Sequence, residues 1–280
     1  MTLPDTLILG ARGKTGRRLA EIYKARNKPV YLATRTPNAP NERAFNWTDY
    51  DQAVAAFSGV KKAYVVAPTD RSDHAEIMLP VLEAALHQGV KRMVLLSASS
   101  LERGGPMMGQ IHDWMVNNVP EWTVLRPSWF MQNFAEGRHL SSIQERGEIL
   151  SATRQGKVGF IDAYDISNVA AAALTDAHAW NADVILTGPQ LLSYDEIAVL
   201  MSSILNIRIS HQSLSSEGLE IELKQQSIGE EYAQMLAAMD VAISRGSETL
   251  TDEVLRRTGN QANSFSACLR ADQVFREIKR

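Results

Sequence analysis

Cysteine is nearly missing: Cys268 stands alone among 280 residues. That excludes an intramolecular disulfide and any multi-cysteine metal site. Excess charge of either sign is scarce too, at a net −3 with an isoelectric point near 6.1. Such a balance supplies no global field to draw in nucleic acid or an anionic membrane. Long apolar runs are also lacking. Val169–Leu174 falls well short of the roughly 20 residues a membrane helix needs, and Leu7–Leu9 is too short for the core of a signal peptide. The six histidines, at 74, 87, 112, 139, 178 and 211, show no metal-ligand spacing. There is no HExxH, no recognisable carboxylate pair and no Ser-His-Asp order. These absences predict a soluble, cytoplasmic protein with no metal, no membrane and no nucleic-acid partner.

What is present is periodic. Hydrophobic residues make up 45% of the chain, enough for a sizeable core. Thr6–Leu9, Val30–Ala33, Ala63–Ala67, Arg92–Ser97 and Trp122–Leu125 read as buried parallel strands. Gly16–Lys24, Tyr50–Phe57, His74–Gln88 and Gln110–Asn118 between them have helical period. This alternation predicts an α/β fold, a doubly wound parallel-sheet Rossmann domain. Beyond it, Val184–Leu186 reads as one more strand. Ser193 with Glu196 forms a capping box ahead of Ile197–Leu205. The expected division is a nucleotide domain over 1–150, with 158–188 packing back on it. A smaller, mostly helical substrate or cap region over 189–280 completes the chain. The helical character of that region is compatible with a homodimer.

After the first strand the chain reads Gly10-Ala11-Arg12-Gly13-Lys14-Thr15-Gly16 and enters a helix. Glycines at this spacing turn the chain sharply and bring bare backbone against a pyrophosphate. The helix start supplies N–H groups and a positive dipole end. An NAD site usually has an acid at the end of the second strand. Here that point reads Ala33-Thr34-Arg35-Thr36, with an arginine and no carboxylate. Arg35, joined by Arg12, suits a 2′-phosphate, which points to NADP(H); the alternative is that Arg35 is a solvated surface residue.

From the glycine loop onward the sequence resembles the NmrA-like family of atypical short-chain dehydrogenase/reductases, closest to the ergot-alkaloid reductases of agroclavine and festuclavine dehydrogenase type. The segments that carry the resemblance are GARGKTG (10–16), FNWTD (45–49) and AYVVAP (63–68). They continue with GVKRMVLLSAS (89–99), WTVLRPSWFMQNF (122–134) and GPQLLSYD (188–195). The resemblance implies that Gly10, Gly13 and Gly16 form the phosphate loop, lined by Arg12, Lys14 and Thr15. Arg35 would meet the 2′-phosphate, and the Asn46 amide oxygen would face the adenine amine. Ala67 and Pro68 would lie along the dinucleotide, with Ser97, Ala98 and Ser99 at its nicotinamide end.

The wider superfamily uses a Tyr-x-x-x-Lys pair for proton transfer. This chain has none, since the corresponding helix reads Gly109-Gln110-Ile111-His112-Asp113-Trp114-Met115. His112 is the one candidate acid/base there, with local hydrogen bonding in its helix as the alternative. Trp129 and Phe130 are candidates for walling a flat apolar small-molecule substrate, and Asn133 for orienting it. Trp47, Trp114, Met107 and Met108 are secondary candidates. The function expected is an NADPH-dependent reductase of a flat electrophile: an iminium by resemblance, or a quinone or activated alkene. The alternative is a non-catalytic NADP(H)-binding redox sensor.

Overall fold

A computed structural model describes residues 3–68, 71–246 and 248–278. In chain order it forms β1 (Thr6–Ile8), α1 (Lys14–Ala25), β2 (Tyr31–Thr34), β3 (Glu42–Ala44), α2 (Tyr50–Ala55) and β4 (Lys62–Val66). There follow α3 (His74–His87), β5 (Arg92–Leu96), α4 (Met108–Asn118), β6 (Glu121–Pro127), α5 (Leu140–Arg146) and β7 (Glu148–Ser151). Next come α6 (Ala163–Thr175), β8 (Ala182–Leu186), α7 (Tyr194–Leu205), β9 (Ser210–Ser213) and α8 (Ser216–Gln225). The last elements are α9 (Glu230–Ser244), α10 (Glu253–Thr258), α11 (Phe265–Ala271) and α12 (Gln273–Arg276).

Seven strands form one parallel sheet in the order β3-β2-β1-β4-β5-β6-β8. The chain leaves β1 toward β2 and β3, then returns to lay β4 on the other side. The reversal opens a crevice beyond the carboxyl ends of β1 and β4, where doubly wound sheets bind ligands. Burial on both faces explains the near-continuous apolar strands: β1 is buried throughout and Ala63, Tyr64 and Val65 of β4 have no exposure. The short β3, Glu-Arg-Ala, escaped the periodicity reading because it has no apolar run. Its place comes from pairing with β2, with Leu32 against Glu42 and Thr34 against Ala44.

The chain divides into two compact units. The first holds Met1–Pro127, Ala163–Leu186 and Arg256–Gly259, and the second Ser128–Asp162, Thr187–Leu255 and Asn260–Arg280. The crossover from one to the other therefore lies at Pro127, not near 150. The reason is pairing: after β6 the backbone bridges Phe130 to Ile161 and Val158 to Leu192, and β7 pairs with β9 rather than with the large sheet. In the first unit, α6 lies on α1, where the Ser167 hydroxyl donates to the Thr15 carbonyl at 3.0 Å.

The second unit is built around aromatic rings. Phe134 meets Phe160 and Phe265 edge-on, each at 5.4 Å, and stacks on His139 at 4.8 Å. Several of its buried polar groups bond to one another. The Arg138 guanidinium donates to Asp240 at 2.9 Å and to the Tyr194 hydroxyl at 3.3 Å. Asp240, with no exposure, also accepts the Ala152 N–H at 2.9 Å. The Gln132 amide donates to Asp162 at 2.8 Å, Asp272 at 3.1 Å and the sulfur of Cys268 at 3.3 Å.

Removing one member of a buried ion pair strands the other in a medium that cannot solvate it. Asp240→Ala should therefore cost about 3–5 kcal/mol of stability, read as a lower urea midpoint. A midpoint unchanged from the parent would show that Arg138 finds another partner.

Candidate dinucleotide site

The site begins at the exit from β1. Gly10 has φ +61°, in the left-handed region that favours glycine. A Cβ at this position would touch Val66 of β4 at 3.4 Å, which puts the loop beside the crevice. Gly16 is more constrained: a Cβ there would lie 2.1 Å from the Gly10 carbonyl oxygen and 2.7 Å from its carbon. Only a residue without a side chain lets α1 start this close to the strand. Gly13 is the N-cap; no side chain caps the helix, and its first turn carries no acid. That arrangement favours an anion at the helix start.

The predicted loop residues divide. The Thr15 side chain is buried and accepts from the Tyr64 hydroxyl at 3.0 Å, so it docks α1 on β4 instead of lining the loop. The Lys14 carbonyl accepts from Arg18 at 2.7 Å. Arg12 is exposed and its guanidinium reaches the end of β2, donating to the Thr36 hydroxyl at 3.1 Å and carbonyl at 2.9 Å. It also meets the Glu42 carboxylate at 3.4 Å. Glu42 was not a sequence candidate: it comes from β3, outside the motif, and only strand pairing brings it here. Arg35, following β2, is exposed. The Asn46 amide oxygen accepts the Thr48 N–H at 3.2 Å and hydroxyl at 3.0 Å. It thereby closes a local turn before the Asp49 cap of α2. Trp47 is buried and donates its indole N–H to the Val66 carbonyl at 3.0 Å, a fixed strut at the end of β4.

Farther along the carboxyl edge, Ala67 and Pro68 follow β4. The Pro68 carbonyl accepts from the His74 ring at 2.8 Å, so the imidazole at the start of α3 holds this segment. Ser97, Ala98 and Ser99 follow β5, pinned by Ser97 N–H to Leu125 and Ser99 N–H to Pro127 at 2.8 and 2.9 Å. Arg126 adds a bond to the Ser99 carbonyl at 2.9 Å and one to Glu102 at 2.7 Å. A dinucleotide fits this edge by an independent test: the buried hydroxyls of Thr34 and Ser97, which end β2 and extend β5, have no hydrogen-bond partner among the described residues. Buried polar groups are rarely left so without a ligand or water to meet them.

His112 sits elsewhere. It is 2% exposed on α4, with its ring 6.0 Å from that of Trp122 near the amino end of β6. Burial holds its pKa below the usual imidazole value, opposed by Asp183 and reinforced by Arg126. Gln110 is exposed on the same helix. In the second unit, Met131 and Phe134 are core residues, whereas Trp129, Phe130 and Asn133 are half-buried. The Arg138 guanidinium lies 4.8 Å from the Trp129 ring centroid. That unit also aligns residues the sequence did not suggest. Ser151 meets His211 at 2.8 Å, and His211 meets Asp195 at 3.0 Å. Ser151 has no exposure while the Asp195 carboxylate is 47% exposed, the reverse of what an accessible nucleophile requires. This line is a structural link between β7, β9 and α7.

Two outcomes follow. Gly16→Ala forces backbone apart, so nucleotide affinity should fall by roughly tenfold or more in tryptophan quenching; full affinity would show that α1 can withdraw without cost. For His112 the folded state resists protonation while the unfolded chain takes up a proton near pH 6.5. Its contribution to stability is therefore complete above that pH and lost as pH falls below it. His112→Gln should flatten the urea midpoint between about pH 7 and 5, and an unaltered slope would count against the buried neutral ring.

No family model matches the sequence. YesF, an uncharacterized oxidoreductase of Bacillus subtilis (strain 168), is 40% identical over 273 residues, spanning 96% of this chain and 95% of that one. The agroclavine dehydrogenase of Claviceps purpurea (strain 20.1) is 37% identical over 273 residues, 92% of this chain and 94% of that one. Among solved structures, the Escherichia coli NADPH-dependent quinone oxidoreductase QOR2 in complex with NADPH gives a TM-score of 0.78. That match covers 93% of this chain and 97% of the other at 20% identity, a likeness of fold. The chain belongs to the oxidoreductase family that includes YesF and the agroclavine and festuclavine enzymes.

Proposed function

We propose that this protein is an NADPH-dependent reductase of flat, apolar, electron-poor small molecules. An iminium is the first choice of acceptor, and quinones or activated alkenes the next. The observation that carries the reading is a carboxyl edge furnished for a dinucleotide but without a proton donor on α4. Gln110 stands exposed there, and the only imidazole, His112, is buried against Trp122. An iminium carbon is already cationic, so hydride addition gives the neutral amine with no protein acid required. Orientation is then the protein's main contribution.

Gly10, Gly13, Gly16 and the start of α1 would hold the pyrophosphate. Arg35 would pair with the 2′-phosphate, and Arg12, braced by Thr36 and Glu42, would flank it. Thr34 and Ser97 offer the free hydroxyls, and Ala67, Pro68, Ala98 and Ser99 the backbone, along which the dinucleotide would lie. When bound, the reduced nicotinamide supplies the hydride. Trp129, Phe130 and Asn133 are our assignment for substrate-facing side chains of the second unit, because their neighbours Met131 and Phe134 are committed to its core. His112 we assign to packing. Agroclavine dehydrogenase and festuclavine synthase among the relatives favour a cationic alkaloid-like acceptor.

Arg35→Glu replaces a guanidinium that would face the phosphate with a like charge. It should weaken NADPH by roughly tenfold to a hundredfold and leave NADH unchanged or bound more tightly, since an acid at this point suits the ribose hydroxyls. Equal loss for both nucleotides, or for neither, would remove Arg35 from the site. NADPH consumption with a panel of iminium, quinone and enone acceptors tests the reaction itself. Tight NADPH binding with no acceptor consumed would replace the reductase by a non-catalytic sensor.

A further inference from the structure

The segment that joins β5 to α4 begins directly after Ser97–Ser99. It is tightly knitted: Gly104 N–H donates to the Gly109 carbonyl at 2.8 Å, and Gly105 N–H to the Glu102 carbonyl at 3.0 Å. A Cβ on Gly109 would lie 2.3 Å from the Glu102 carbonyl oxygen. Arg103 pairs with Asp113 of α4 at 2.9 Å, and Arg126 holds Glu102 at 2.7 Å. Within this frame Gly109 N–H donates to the Pro106 carbonyl at 3.0 Å, closing a four-residue turn. Its first central residue, Met107, has φ +56° and ψ −123°. Those angles are the ones that the first central position of a type II′ turn takes, a position that belongs to glycine.

The strain has a definite character. Asn206, also at positive φ, lies in the left-handed helical well with ψ 41°, a region asparagine tolerates. Met107 lies outside that well, where a side chain is held only if its surroundings over-determine it. The loop uses glycine at Gly104, where φ is +77°, yet carries methionine at the position whose geometry calls for glycine. The neighbouring Met108 packs against the core of the first unit, while Met107 retains partial exposure. A partly exposed methionine therefore stands, in the segment that leaves the carboxyl end of β5, at a backbone position that glycine would relax.

We propose that Met107 is a specificity-determining residue that touches the acceptor. Its thioether would be presented beyond β5 to an aromatic ring, a contact that a polarizable sulfur makes favourably. This rests on the reductase reading and names its preferred substrates as aromatic rather than merely apolar.

The test compares full-length Met107→Gly and Met107→Leu with the parent in four measurements: urea midpoint, NADPH affinity, KM across the acceptor panel, and affinity for an aromatic acceptor with NADP+ bound. Glycine should raise the midpoint, leave NADPH affinity within about twofold and raise KM for aromatic acceptors roughly three- to tenfold. Leucine should keep the low midpoint and lose part of the aromatic preference. A raised midpoint with KM and acceptor affinity unchanged would overturn the proposal, as would a midpoint that falls with glycine. If the parent consumes NADPH with no acceptor, the reductase reading fails by itself. Acceptor affinity in the NADP+ complex then still decides Met107, and a parent that binds no aromatic acceptor overturns both.

Discussion

The first unit depends on one close approach, that of Gly16 to the carbonyl of Gly10. With only 2.1 Å available to a Cβ, α1 begins almost against the end of β1, and everything nearby follows from that distance. Thr15 is carried inward to the Tyr64 hydroxyl, and its carbonyl receives Ser167 from α6. Helix, strand and returning helix are thus fastened at one residue. The uncapped first turn is left facing the crevice where the order of the sheet reverses. The same compression that docks the helix leaves its uncapped start open to an anion.

Chemistry along the carboxyl edge is shaped as much by omission as by provision. Arg126 and His74 fix the backbone after β5 and β4 through carbonyls of Ser99 and Pro68. The edge is therefore preorganised by side chains that themselves lie behind it. The proposed hydride transfer to a carbon already carrying positive charge asks for orientation more than for acid. A buried, neutral His112 suits a scaffold with that division of labour.

The second unit shows how buried polarity can be structural. Arg138 and Asp240, the Gln132 hub at Cys268, and the Ser151–His211–Asp195 line each join segments far apart in sequence. Directional bonds of this kind fix which helix meets which strand, a task that apolar packing does with less selectivity. The solitary cysteine belongs to such a hub, where it is buried and accepts a hydrogen bond.

The sequence by itself determined the alternation of strand and helix, the glycine loop and the absence of a Tyr-Lys pair. Each of these is written in local periodicity or spacing, and backbone sterics leave few other ways to fold such patterns. Tertiary structure alone decided the rest. Glu42 reaches Arg12 only because β3 pairs with β2. Asn46 turns its amide oxygen to Thr48, and His112 faces Trp122, because helix and turn orientation are set by distant packing. The crossover at Pro127 and the strained turn at Met107 were equally hidden. Both arise from hydrogen bonds between residues that no short window of sequence contains together.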